Sequence, residues 1–121
     1  MLKYKVDWLA FSLSILADNT SGRDDKLMER LGYDLADFDE IPGRWFYNSG
    51  ATFRNYVNVF WNDPSKPIHK NSSRTMTVVF TGQGSTELAE KWGSRWVDVF
   101  QLLVAYGGVN FTRLDLALDD Y

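Results

Sequence analysis

The last twelve residues, Asn110-Phe-Thr-Arg-Leu-Asp-Leu-Ala-Leu-Asp-Asp-Tyr121, constrain the fold more than any other stretch. From Arg113 onward they alternate with period two. Arg113, Asp115, Ala117 and Asp119 fall on one side, and Leu114, Leu116 and Leu118 on the other. Side chains of a strand point alternately to its two faces, so this stretch predicts a strand with an apolar back in the core and a charged front. Two carboxylates and a guanidinium on one front are more than solubility requires.

The 121 residues suit one domain, or a fragment of a larger one. With 45% hydrophobic and 16% aromatic residues the chain has ample material for a packed core. Lys3, Lys5 and Asp7 interrupt the apolar start, which has neither a signal-peptide layout nor the length of a membrane span. The absence of cysteine excludes a disulfide framework and a thiolate metal site, and is compatible with the cytosol. The net charge of −3 argues against simple duplex binding, because phosphate neutralisation normally leaves a basic footprint. A local basic patch remains open, as does an acidic centre that meets phosphates through a divalent metal.

Lys5 to Ile15 reads as a first, central strand with both faces largely apolar. Ser21 and Asp24 have capping-box spacing before a short helix through Leu27, Met28 and Leu31 that stops at Gly32. Asp34 to Glu40 reads as a solvated acidic turn. Arg44–Tyr47 and Phe53–Trp61 are expected to form a hairpin across Asn48-Ser-Gly50, followed by a long polar loop and a strand at Thr75–Phe80. Ser85 and then Ser94 are placed to cap two helical stretches that end at Gly107-Gly108. The order β-α-β-β-β-α-β predicts an α+β fold, one mostly antiparallel sheet with helices on one face.

Four places could carry chemistry. Thr81-Gly-Gln-Gly-Ser85 lies between a strand and a helix, where the amides near Gln83 and Gly84 could cradle a phosphate; it lacks the lysine and spacing of a P-loop, and a tight turn is the simpler reading. His69 is the only histidine and sits in the polar loop; without a second it cannot make a histidine metal pair, and a surface position is the simpler reading. Arg54, Lys66, Lys70 and Arg74 interleave with Tyr56, Phe60 and Trp61, as in a single-strand-binding groove, or simply as a basic, protected hairpin. On the closing strand, Arg113 and Asp115 form either an exposed ion pair or a carboxylate for a hard cation beside a phosphate-facing arginine. Asp115 and Asp119 stand about 13 Å apart at strand rise, too far to hold one ion unless the strand ends between them.

Phe111-Thr-Arg-Leu-Asp-Leu-Ala-Leu-Asp-Asp-Tyr121 resembles the Asp-Asp signature of Rep-trans-type rolling-circle replication initiators, found on plasmids, phages and conjugative mobile elements with their related relaxases. Val79-Phe-Thr-Gly-Gln-Gly-Ser85 resembles that family's second cue, and Val6-Asp-Trp-Leu-Ala-Phe-Ser12 its opening strand. The resemblance implies a fold related to the His-hydrophobic-His endonucleases and a divalent metal, Mg or Mn, with Asp115, Asp119 and Asp120 as its candidate carboxylates. It implies DNA as partner, single-stranded or cruciform at an origin; Arg113, Gln83 and Gly84 of its motifs, and Arg54, Lys70 and Arg74 of the interleaved stretch, are the candidate contacts. It also implies a bacterial cytoplasmic setting, compatibility with a homodimer, and an endonuclease tyrosine lying beyond Tyr121, which takes the family's aromatic position and not that of the nucleophile. The 121 residues are then expected to be the N-terminal part of a longer initiator, inactive alone. Ser85-Thr86 departs from the Cys-Arg pair of many members. The alternative is a non-catalytic DNA-binding or protein-interaction module on the same fold.

Overall fold

Strand β1 (Leu2–Ser14) runs between two other strands of one sheet, the central place expected for it. The computed structural model describes residues 2–16, 18–69 and 74–120, with the side chains of 5–16, 18–69 and 74–117. After β1 come α1 (Asp25–Leu31), a 3-10 turn (Leu35–Asp37), β2 (Asp39–Pro42), β3 (Ser49–Phe53), β4 (Val57–Trp61) and β5 (Thr75–Phe80). Two helices, α2 (Gly82–Lys91) and α3 (Trp96–Tyr106), precede β6 (Val109–Asp120). The fold is α+β, a six-stranded sheet in the order β2-β3-β4-β5-β1-β6 with every neighbouring pair antiparallel.

One face of the sheet carries the core. Leu9, Phe11 and Leu13 of β1 meet Val57 and Val59 of β4 and Met76, Val78 and Phe80 of β5. Leu27, Met28 and Leu31 of α1, Leu88 of α2 and Val99 and Leu103 of α3 belong to the same cluster. Phe11 and Phe80 stack at its centre with ring centroids 6.4 Å apart, neither exposed. Burying side chains of this size contributes roughly 1.5–3 kcal/mol each, which offsets the cost of ordering the chain.

Two bulges decide which side chains face this core. On β1, Val6 pairs with Leu116 and Trp8 with Asp115, leaving Asp7 unmatched; on β6, Arg113 pairs with Ala10 and Phe111 with Phe11, leaving Thr112 unmatched. Each extra residue shifts the alternation by one. Val6 therefore joins Leu9 and Phe11 in the core, where unbroken alternation puts it with Trp8 and Ala10. Phe111 turns to the helix side, edge-on to Phe11 and to Phe100 of α3, while Arg113 turns to the opposite face.

Other expectations need correction. The apolar back of the closing strand is not buried: Leu114 is 43% and Leu116 54% exposed, because β6 is an edge strand. The side chain of Leu118 lies outside the described residues. The hairpin turn is not Asn48-Ser-Gly50, since Ser49 and Gly50 already pair with Trp61 and Phe60 in β3–β4. The chain reverses at Arg54 and Asn55, both with positive φ (55° and 60°). The end of the acidic stretch forms β2, which lengthens the sheet beyond β3.

The helix caps also shift. Asp24, not Ser21, caps α1, its carboxylate accepting from Leu27 N at 3.2 Å, and Gly32 closes the helix in the left-handed conformation at φ 104°. Thr81, not Ser85, caps α2; Arg95 precedes α3 without a side-chain cap.

Two tyrosines tie the helices together through carboxylates. The Tyr106 hydroxyl at the end of α3 donates to Asp24 Oδ2 at 2.7 Å, and burial together with this acceptor pushes its pKa up to about 12. The Tyr33 hydroxyl donates to Glu87 at 2.9 Å and is raised as well, again first by burial. An unfolded tyrosine loses its proton near about pH 10. Above that pH the unfolded chain holds fewer protons than the folded one. The contribution is thus complete below about pH 10 and lost as pH rises through the folded value. The urea midpoint, measured from about pH 9 to 11, is expected to fall in the parent and less steeply in Tyr106→Phe. Equal slopes would show that Tyr106 carries no part of the alkaline loss.

Candidate nucleic-acid interface

The sheet face opposite the helices holds a groove of about 370 Å³. Its floor comes from alternate residues of the central strands: Trp8 and Ala10 of β1, Asn58 and Phe60 of β4, Thr77 and Val79 of β5. One wall is Arg44 and Trp45, from the loop between β2 and β3, and another is Thr112 and Arg113 of β6. The loop is fastened to the sheet by Tyr47, whose hydroxyl lies 2.7 Å from Thr75 Oγ1 and 2.8 Å from Thr77 Oγ1. Trp45 packs edge-on against Phe60 with centroids 5.4 Å apart, and the Arg44 guanidinium lies 5.6 Å from the Trp45 ring.

Arg113 is held in place from two sides. Its guanidinium lies 4.4 Å from the Trp8 ring centroid, and its Nε and Nη2 donate to Asp115 Oδ2 at 3.0 and 2.7 Å. Trp8 and Asp115 are direct partners across β1 and β6, so the bulge at Thr112 and the pairing register together build this triad. Both side chains of the ion pair are about half exposed (53% and 46%), so the pair orients the arginine more than it stabilises the fold. Asp115 Oδ1 takes no part in these bonds.

Of the basic residues expected to form one groove, the described ones, Arg54, Lys66 and Arg74, are dispersed. Arg74 donates to the carbonyls of Leu16 and Asn19 and fastens the loop after β1. Lys66 reaches Ser49 Oγ at 3.2 Å, and its ammonium lies 3.9 Å from Glu40. Arg54 sits on the β3–β4 turn against the Phe53 ring, near Gln83 in an open cleft with Glu87 and Glu90. His69 lies against the Phe46 ring. Lys70 and Tyr121, and the side chains of Asp119 and Asp120, lie outside the described residues.

No protein-family model matches the sequence. The chain is 30% identical over 100 residues to the DNA relaxase NicK of Bacillus subtilis (strain 168), a match covering 79% of this chain and 26% of that protein. It superposes on the structure of the rolling circle replication initiator protein from Geobacillus stearothermophilus with a TM-score of 0.69 at 28% identity, over 99% of this chain and 45% of the other. The chain is a relative of rolling-circle replication initiators and DNA relaxases. It spans less than half the length of either.

In this initiator relative, the glycine-rich cue between β5 and α2 is a structural joint. Thr81 donates through its amide and its hydroxyl to the Tyr56 carbonyl at 3.0 and 3.1 Å, and its hydroxyl accepts from Gly84 N at 3.2 Å. Gly84 is buried against the same carbonyl, which a Cβ would overlap. Its amide is therefore engaged by the cap and not directed at a phosphate, while Gln83 is exposed.

The metal that the family resemblance implies finds an incomplete donor set. Among the described residues no group of three or more His, Cys, Asp or Glu side chains could hold an ion. Asp115 is one donor, engaged by Arg113. Strand β6 runs without a break from Asp115 to Asp120, which keeps Asp115 and Asp119 about 13 Å apart and unable to share an ion.

Sequence reasoning passed over Trp8, Arg44, Trp45 and Asn58. The signal present was the second face of β1, where Trp8 alternates with Ala10 and Ser12; a core has no need of that tryptophan. The cap joint makes a direct prediction. Gly84→Ala forces the Tyr56 carbonyl to move and should cost about 3 kcal/mol, roughly 10 °C in thermal midpoint. Gly82→Ala meets only the Asp7 carbonyl at 3.6 Å and should leave the midpoint nearly unchanged. Similar losses in the two variants would rule out the joint.

Proposed function

We propose that this chain forms the DNA-engaging N-terminal part of a rolling-circle replication initiator or relaxase, acting on single-stranded or cruciform origin DNA. The observation that carries this reading is the superposition on a replication initiator over 99% of the chain. A sheet with one face packed by helices and the other open is also consistent with kinship to the His-hydrophobic-His endonucleases. In the intact protein, a tyrosine outside these residues attacks the phosphorus of one strand. Its oxygen forms the 5′-phosphotyrosyl bond and the 3′-oxygen leaves, carrying the proton that the tyrosine gives up. Arg113, fixed on the open face, is the residue here best placed to meet the charge of that phosphate. Asp115 orients Arg113; it also serves as one carboxylate of a divalent-metal site only if further donors come from beyond the described residues.

One observation favours a second reading, a DNA-binding module without chemistry. Asp115 is already engaged by Arg113, and the described residues supply no donor cluster. Nicking separates the two. The protein translated from the complete reading frame, given Mg²⁺ and supercoiled DNA carrying its origin, should yield nicked circles with protein attached through an SDS-stable bond. Asp115→Ala should slow this roughly 10–100-fold. No nicking by the parent protein would leave the non-catalytic module as the surviving reading.

A further inference from the structure

The open-face groove joins cationic and aromatic side chains. Its lining holds two guanidiniums, Arg44 and Arg113, the second bonded to Asp115 beside the groove, in a chain whose net charge is −3. The same lining holds the rings of Trp8 and Trp45, with buried Phe60 packed against Trp45. Trp45 is 62% exposed and holds a left-handed backbone, φ 58°, which is costly for a bulky side chain and persists only where surrounding contacts impose it. Here Tyr47 imposes it, its backbone N–H donating to the Arg44 carbonyl at 3.0 Å and its hydroxyl resting on the two β5 threonines. The loop thus spends strain and hydrogen bonds to present an indole to solvent at the rim of a cationic groove.

We infer that this groove is a base-stacking site for unpaired nucleic acid, with Trp45 as the stacking platform and Arg44 and Arg113 as the flanking phosphate contacts. Stacked bases need exposed ring faces and a positive track for the backbone, and the groove supplies both. A duplex hides its base faces inside the stack, so the groove selects single strands. Asn58 and Thr77 on the floor offer polar groups to a base edge. This deepens the nucleic-acid reading above and rests on it for the class of ligand; the site differs from the Arg54–Lys70–Arg74 stretch that the sequence suggested.

The test is fluorescence anisotropy of a labelled oligothymidine of roughly 12 nucleotides with the 121-residue chain, alongside its duplex with oligodeoxyadenosine. The parent should bind the single strand more tightly than the duplex. Trp45→Ala should weaken single-strand binding roughly tenfold, and Trp45→Phe should restore most of it. Arg113→Gln should lower the slope of log affinity against log salt by roughly 0.7. Trp45 is exposed, so Trp45→Ala should melt with the parent, and the salt slope of Arg113→Gln reads the groove independently of that variant. If the parent binds the single strand while both variants match it, the groove is not the site and the initiator reading stands. If the parent binds no single strand, the DNA-engaging role of this part of the chain falls with it.

Discussion

The pairing of β1 with β6 is the constraint on which the rest depends. β1 supplies the centre of the core on one face and the floor of the groove on the other, so any slip in its register would exchange the two. The bulges at Asp7 and Thr112 set that register locally. Between them, Trp8, Ala10 and Arg113 face the groove, Asp115 bonds Arg113 beside it, and Leu9 faces the core. Outside them, Val6 and Phe111 return to the core side. An arginine on the open face can therefore follow a phenylalanine on the helix side by two positions, which a regular strand does not allow.

The core face and the open face are built on different physics. The core face is closed by three helices and is held by apolar burial, with two tyrosine–carboxylate bonds fastening α1 to α3 and Tyr33 to α2. The open face is held by short polar contacts: Tyr47 on two threonines, Asp115 on Arg113, and Arg113 on Trp8. Such contacts contribute little to stability and much to orientation. That division suits a face whose side chains must be in place before a ligand arrives.

Much of the fold was legible because period-two alternation and turn residues are local signals. β1, β5, the two long helices and β6 stand where pattern places them. The bulges were not legible, since an extra residue leaves no mark on composition. The β3–β4 turn was hidden because Arg54 and Asn55, not glycines, take the positive φ values, while Asn48 was drawn off by tertiary bonds to Asp63 and Pro67. The leucines of β6 misled for another reason: alternation predicts a side but not whether anything covers it, and an edge strand is covered least.

The groove was legible at Arg113, with its partner Asp115, and at Phe60. Trp8 and Trp45 stand far apart in the chain and meet one groove through strand order, which no spacing rule conveys. Arg54, Lys66 and Arg74 misled in the opposite sense, being drawn together by sequence pattern and parted by the fold. The five tryptophans allow the central claim, that the open face is the working face, to be tested in one spectrum. In an amide and indole NMR titration with oligothymidine, the Trp8 and Trp45 indole signals should shift. Those of Trp92, bonded to the Leu31 carbonyl, and of buried Trp96 should stay fixed. Shifts at Trp92 and Trp96 with Trp8 and Trp45 unmoved would contradict the account.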